Sequence, residues 1–147
     1  MEKDCQYLSW ENAPIGPLLG HAAHLARERM DARMSRYDMT PAQTHTLLYL
    51  CDQGGSVPQR EVVEHLRVKP STVNGILDRM EEKGLIRRTT DENDQRQKRV
   101  SATEKGREMK ELVRNAFQDA EAAMARGLRP DEAETLRSLL GRVIENL

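Results

Sequence analysis

Five cations, Arg87, Arg88, Arg96, Lys98 and Arg99, flank the acidic, turn-forming run Asp91-Glu92-Asn93-Asp94. Guanidinium and ammonium groups at this density can neutralise phosphate oxygens, and arginine can bond them in a fork. Just upstream, Lys69, Ser71, Thr72, Asn74 and Arg79 offer two more cations, two hydroxyls and an amide. Small polar groups of this kind can bond phosphates or reach base edges. Residues 67–99 hold nine Lys/Arg against six Asp/Glu, a local balance of +3, whereas the whole chain carries −1. Residues 1–66 hold six against nine and residues 103–147 eight against nine, so the positive excess is confined to one segment. Such clustering is the electrostatic footprint of a phosphate-facing surface. A solvated face of mixed charge would have much the same composition.

These side chains need elements to hold them. Pro58 to Leu66 reads as a short helix with Val62, Val63 and Leu66 inward, followed by a tight turn at Arg67–Lys69. Pro70 to Lys83 reads as a second helix that stops at Gly84. Its apolar stripe, Val73, Ile76, Leu77 and Met80, follows the i, i+3, i+4, i+7 pattern, which leaves Ser71, Thr72, Asn74, Gly75, Asp78 and Arg79 on the other face. Leu85–Thr89 and Lys98–Ser101 read as the strands of a hairpin, with turn formers from Thr90 to Gln97 between them. Helix, turn, helix and hairpin is the order of a winged helix-turn-helix. In that arrangement a helix enters the major groove and a hairpin reaches the neighbouring minor groove.

More helices flank this unit. Gly16-Pro17 suits a helix start, and Ile15, Leu18, Leu19, Ala22, Leu25, Ala26 and Met30 form an amphipathic stretch running to about Tyr37-Asp38. Thr40-Pro41-Ala42-Gln43 has the form of a capping box and predicts a second helix that ends at Gly54-Gly55. Thr103 can cap a fifth helix, and Pro130 opens a sixth. Ala133, Leu136, Leu140, Val143 and Leu147 alternate steps of three and four along the sixth, a seam that fits packing on a partner subunit or on the chain's own first helix. The fold class expected is mainly α with a small β wing.

Composition narrows the function classes. Trp10, Tyr7, Tyr37, Tyr49 and Phe117 are the only aromatics, so aliphatic residues and methionine must fill the core. No apolar run approaches the roughly 18 to 20 residues that span a bilayer. Met1-Glu2-Lys3-Asp4 has no basic or apolar leader character, so a cytoplasmic protein is expected. There is no His-Glu-x-x-His, no glycine-rich phosphate loop and no nucleophile elbow, so an enzyme is not expected. Cys5 and Cys51 are too far apart in sequence to suggest a metal pair or a disulfide framework. No cofactor is expected.

Gly84-Leu85-Ile86-Arg87-Arg88, Asp91-Glu92-Asn93-Asp94-Gln95-Arg96 and Val100 to Gly106 together resemble the signature of the MarR family of bacterial transcriptional regulators. Leu66 to Met80 resembles that family's recognition helix, and Thr40-Pro41-Ala42-Gln43 resembles its usual second-helix start. Ala102, Gln95, Pro70 and Arg129 depart from the pattern without breaking it. The resemblance implies a homodimer joined through residues 1–39 and 103–147, with residues 40–102 as the DNA-binding unit. It also implies two recognition helices in successive major grooves of a pseudo-palindromic duplex and repression as the default outcome. By position, Arg96 would reach the minor groove, where a narrow groove rewards a cation, and Asp94 would orient it or brace the wing through an ion pair.

Family members often answer to phenolic or aromatic ligands, metals or oxidants. The corresponding cleft here would draw on His21, His24, Met30, His45, Leu48 and Met109, each of which could equally be an ordinary core or groove residue. His21 and His24, three apart, have acceptable spacing for two metal ligands if His45 converges on them. Cys5 could be oxidised if its thiolate is stabilised, whereas Cys51 reads as inert packing. The alternatives are a metal- or redox-responsive regulator of the same fold, and a winged-helix module that binds protein instead of DNA.

Overall fold

Local chemistry sets most element boundaries in the computed structural model, which describes residues 10–147. The expectation of an oxidisable Cys5 falls on residues 1–9, outside the described residues. Trp10–Asn12 form a single 3-10 turn, and α1 runs Ile15–Ser35. Thr40 then caps α2 (Pro41–Asp52). Its hydroxyl accepts from the Gln43 amide at 3.3 Å, and the Gln43 side chain accepts from the Thr40 amide at 3.3 Å. Gly54 and Gly55, at φ +85° and +91°, turn the chain out of that helix.

The next segment differs from the sequence expectation. Pro58 does not open the helix but ends a strand, β1 (Ser56–Pro58), and α3 spans only Gln59–Leu66. Three residues are too few to display a period of two. Proline is tolerated because β1 lies at the edge of the sheet, where its missing N–H breaks no ladder. Arg67, at φ +54°, makes the tight turn into α4 (Pro70–Glu82). β2 (Ile86–Thr90) and β3 (Lys98–Ala102) then form the hairpin. The sheet is antiparallel in the order β1-β3-β2, with Val57 opposite Val100 and Ile86 opposite Ala102. The two-stranded hairpin is thus anchored by a third strand from the loop before α3.

α5 (Glu104–Met124) starts where Thr103 accepts from the Gly106 amide at 3.1 Å. Gly127, at φ +84°, turns it into α6 (Pro130–Glu145). Helix α6 starts with Glu132 accepting from the Arg129 amide at 2.8 Å.

The buried cluster joins Leu47 and Leu50 of α2, Val62 of α3, Val73, Leu77 and Met80 of α4, Val100 of β3 and Val113 of α5. The α4 stripe is therefore buried as its spacing requires, except that Ile76 is only half-buried. Ala102 is buried beneath the sheet. Met34 of α1 joins the same core, and Arg33 pairs with Asp119 of α5, tying the first helix to the fifth. α6 is different. None of its residues is buried, and Leu136, Leu139 and Ile144 stay exposed. Phe117 and Met124 on α5 are exposed as well.

Candidate nucleic-acid interface

Burying Val73, Leu77 and Met80 forces the opposite face of α4 outward. Lys69, Ser71, Thr72, Asn74, Gly75 and Arg79 are all exposed. A Cβ placed at Gly75 would meet nothing within 4 Å, so a flat patch of backbone lies open in the middle of this face. Pro70 sits at the first helical position, where no hydrogen bond is lost.

The wing beside it is held by its own turn chemistry. The Asp91 carboxylate accepts from the Asn93 amide and the Asp94 carboxylate from the Arg96 amide, each at 2.9 Å. The Asp91 amide donates to the Gln97 carbonyl at 2.8 Å and closes the loop. Asp94 thus meets Arg96 at the backbone amide, and among the described residues it forms no ion pair with the Arg96 guanidinium. The Arg96 side chain stays exposed at the tip.

The five wing cations do not share one role. Arg87, Arg96 and Lys98 are exposed, and like Lys69 and Arg79 they find no carboxylate partner among the described residues. Arg88 turns inward. Its side chain is only 14% exposed and pairs with Asp78 and, at 3.2 Å, with Glu81, while its amide donates to Glu81 at 2.9 Å. Burial alone would lower the Arg88 guanidinium pKa, but the two carboxylates outweigh it and hold the pKa above the ordinary value. In return, the Arg88 amide and then its guanidinium pull Glu81 below the usual carboxylate range. Arg99 also braces. It donates to the Ser56 hydroxyl at 3.3 Å and carbonyl at 3.2 Å, and lies 3.5 Å from Asp91. Arg88 thus clamps the wing to α4, and Arg99 clamps it to β1. From sequence alone both group with the phosphate-facing cations, because charge is visible there and partners are not.

A groove of about 540 Å³ runs between α3, the start of α4 and the wing, lined by Gln59, Arg60, Asn74, Arg96 and Lys98 among others. Sequence reasoning misses Gln59, whose side-chain amide donates to Asn74 at 2.6 Å. Its only local signal is its place one residue after a proline at a helix start.

The candidate effector residues separate into two groups. Met30, Leu48 and Met109 are half-buried against the core on α1, α2 and α5. His21, His24 and His45 are exposed. His21 stacks on Trp10, with ring centroids 5.4 Å apart, and His24 lies 3.4 Å from Glu28. Among the described residues no three His, Cys, Asp or Glu side chains gather as a metal site would require. Cys51 is half-buried, and that burial pushes its thiol pKa up against the pull of Lys110 and Arg107. Among the described residues no helix is long and apolar enough to cross a membrane.

Three packed helices, the last with an open polar face, and a hairpin clamped beside that face define a winged helix-turn-helix. Comparison with known proteins narrows the class. The MarR family model matches residues 37–97, the span from just before α2 to the end of the wing loop, short of β3. Among solved structures, apo wild-type MarR from E. coli is 26% identical, with 89% of this chain and 96% of that one covered at a TM-score of 0.78. MepR, a transcription regulator of the Staphylococcus aureus multidrug efflux pump MepA, is 26% identical, with 91% and 98% covered at a TM-score of 0.82. A mutant S. aureus MepR bound to an oligodeoxyribonucleotide is 26% identical, with 92% and 99% covered at a TM-score of 0.69. The chain has the winged-helix fold of these transcriptional regulators, and its residues 37–97 are similar to the MarR family.

Proposed function

We propose that this chain is a sequence-specific DNA-binding transcriptional regulator that works as a homodimer on a pseudo-palindromic duplex. The observation that carries the reading is the shared face. Asn74 on the exposed face of α4 and the wing cations Arg96 and Lys98, which have no carboxylate partner among the described residues, border one groove. α4 would enter the major groove, with Ser71, Thr72 and Asn74 toward base edges. Lys69, Arg79, Arg87 and Lys98 would meet phosphates, and Arg96, set by Asp94, would reach the minor groove. Arg88 and Arg99 would hold the wing in position rather than touch the duplex.

The dimer reading is supported by α6. Its apolar seam is only partly covered among the described residues, with Ala133, Leu140 and Val143 half-buried and Leu136 and Leu147 exposed, and a groove of about 650 Å³ between α5 and α6 is lined by Met124, Leu128, Leu136 and Leu140. A second copy would cover it, which makes residues 1–39 and 103–147 the joining region and residues 40–102 the reading unit. A dimer seated on a promoter would repress by exclusion. Response to a phenolic or aromatic effector is supported by Met30, Leu48 and Met109, whose half-buried side chains come from three helices where the joining region meets the reading unit. Methionine can reshape such a seam around a ligand.

The test is equilibrium binding to duplexes selected by the protein from a randomised pool, at stepped salt. Each neutralised phosphate contributes about −0.9 to the slope of log K against log salt. The five cations assigned to the interface of each chain, Lys69, Arg79, Arg87, Arg96 and Lys98, set an upper bound of about −9 for the dimer on that rule. A selected consensus with a steep negative slope is expected. A folded dimer that enriches no sequence and binds no duplex at low salt would make the module a protein-binding one.

A further inference from the structure

Gln59 and Asn74 are fifteen positions apart in sequence, on different helices, yet their side-chain amides meet at 2.6 Å. Gln59 is the first residue of α3, and Asn74 lies on the exposed face of α4. Two amides can pair in either of two senses, because each carries one acceptor oxygen and one donor NH2. Here the Gln59 NH2 donates and the Asn74 oxygen accepts. The Gln59 oxygen is then buried without a partner among the described residues. The reverse sense would strand the Gln59 NH2 in the same buried place. Stranded N–H donors are rarer in folded proteins than under-satisfied carbonyls, so the observed sense is the favoured one.

That choice fixes what Asn74 shows to the outside. Its oxygen is drawn back toward α3, and its NH2 is the group left to face the groove. An asparagine free to turn can bond adenine with both atoms at once. One whose oxygen is tethered presents a donor alone. In the major groove, guanine offers two neighbouring acceptors, N7 and O6, and suits a lone donor best.

We propose that Gln59 is a specificity-determining positioning residue: it never reads a base, but it sets Asn74 as a donor and so selects guanine at one base pair of each half-site. This rests on the DNA-reading function proposed above. It goes beyond it by assigning a base preference to a contact between two helices.

Selection from a randomised duplex pool, followed by binding to single-base variants of the selected site, tests it. Wild type is expected to favour guanine at one position by about five- to tenfold, the low end of what one good base contact gives. Asn74→Ala should abolish that preference and leave the others. Gln59→Met keeps the length of the side chain but cannot donate, so Asn74 can turn and the preference should flatten at the same position. Gln59→Glu is the decisive variant. A carboxylate can only accept, so Asn74 must turn its NH2 toward it and its oxygen outward. The preference should then move to a base bearing an amino group in the major groove, adenine or cytosine. Added negative charge will weaken binding to every duplex alike, but the ratios between bases report only the readout. A merely structural role for Gln59 would scale all sites together.

If Gln59→Met and Gln59→Glu keep the wild-type ratios while Asn74→Ala loses them, the tether carries no information and the inference is overturned. If Asn74→Ala changes no ratio, Asn74 is not a reader and the inference is equally overturned. If the wild type selects no sequence, it is the DNA-reading function that has failed.

Discussion

Gly106→Ala should destabilise the protein sharply, although alanine is ordinarily the better helix residue. Gly106 lies in the first turn of α5, where the helix crosses the turn that leads into the wing. A Cβ there would sit 2.2 Å from the Leu85 carbonyl oxygen and 3.2 Å from its carbon. That is more than 1 Å inside a comfortable separation of roughly 3.5 Å. The oxygen cannot easily retreat, because it accepts from the Thr103 amide at 3.1 Å and follows Gly84, which is held at φ +73°. Overpacking a well-filled site costs about 1–3 kcal/mol, and rigid backbone puts this case at the upper end. The alanine recovers up to about 1 kcal/mol of helix propensity, so a net loss of about 2 kcal/mol is expected. For a chain of this size that lowers Tm by roughly 4–8 °C. Gly75→Ala is the matched control, since nothing lies within 4 Å of its added methyl. It should raise Tm by about 2–4 °C for each kcal/mol gained and weaken DNA binding by placing a methyl on the reading face. Calorimetry of the three proteins at equal concentration checks the pair. A Gly106→Ala protein that melts at or above the wild-type temperature would refute the packing argument.

Three further outcomes are expected. Arg96→Ala should leave the fold and dimer intact, weaken duplex binding, and make the salt slope shallower by about 1 per wing removed; unchanged affinity at matched salt would remove the wing from the interface. The Arg88–Glu81 clamp should be acid-sensitive. Because Glu81 is depressed in the folded state, its stabilisation is fully present above the unfolded carboxylate value of about 4.3 and is lost as pH falls through the lower folded value. The stability difference between wild type and Glu81→Gln in urea melts should therefore hold from pH 7 to 5 and shrink below that; a difference independent of pH down to 3 would contradict it. Leu140→Asp should leave light scattering reporting a single chain, whereas a persistent dimer would place the interface away from the α5–α6 groove.

Much of this architecture is legible in the sequence because it is local. Thr40 and Gln43 announce their capping box within four residues. Val73, Leu77 and Met80 announce a buried stripe within eight, and the polar face of α4 follows from it by geometry. The seam of α6 can be read as well, although none of its residues is fully buried. The illegible features depend on residues distant in sequence. β1 is a strand only because Val57 finds Val100. Arg88 and Arg99 resemble phosphate ligands until Asp78, Glu81, Asp91 and Ser56 are seen around them. Gln59 carries almost no sequence signal, since its importance lies in touching Asn74. The sequence leaves Asp94 either orienting Arg96 or bracing the wing through an ion pair; its contact is with the Arg96 amide, which depends on the turn geometry the sequence does not display. For His21, His24 and His45, a spacing acceptable for metal ligands does not become convergence: all three side chains are exposed, and among the described residues no three metal-ligating side chains gather.

The central claim is that two copies of this chain read one face of a double helix, and hydroxyl-radical footprinting of the selected duplex tests it most directly. The account expects two protected patches on the same face, about one helical turn apart centre to centre, with weaker protection outside them that disappears in Arg96→Ala. A single patch, or no protection at modest salt by a protein shown to be folded, would contradict it.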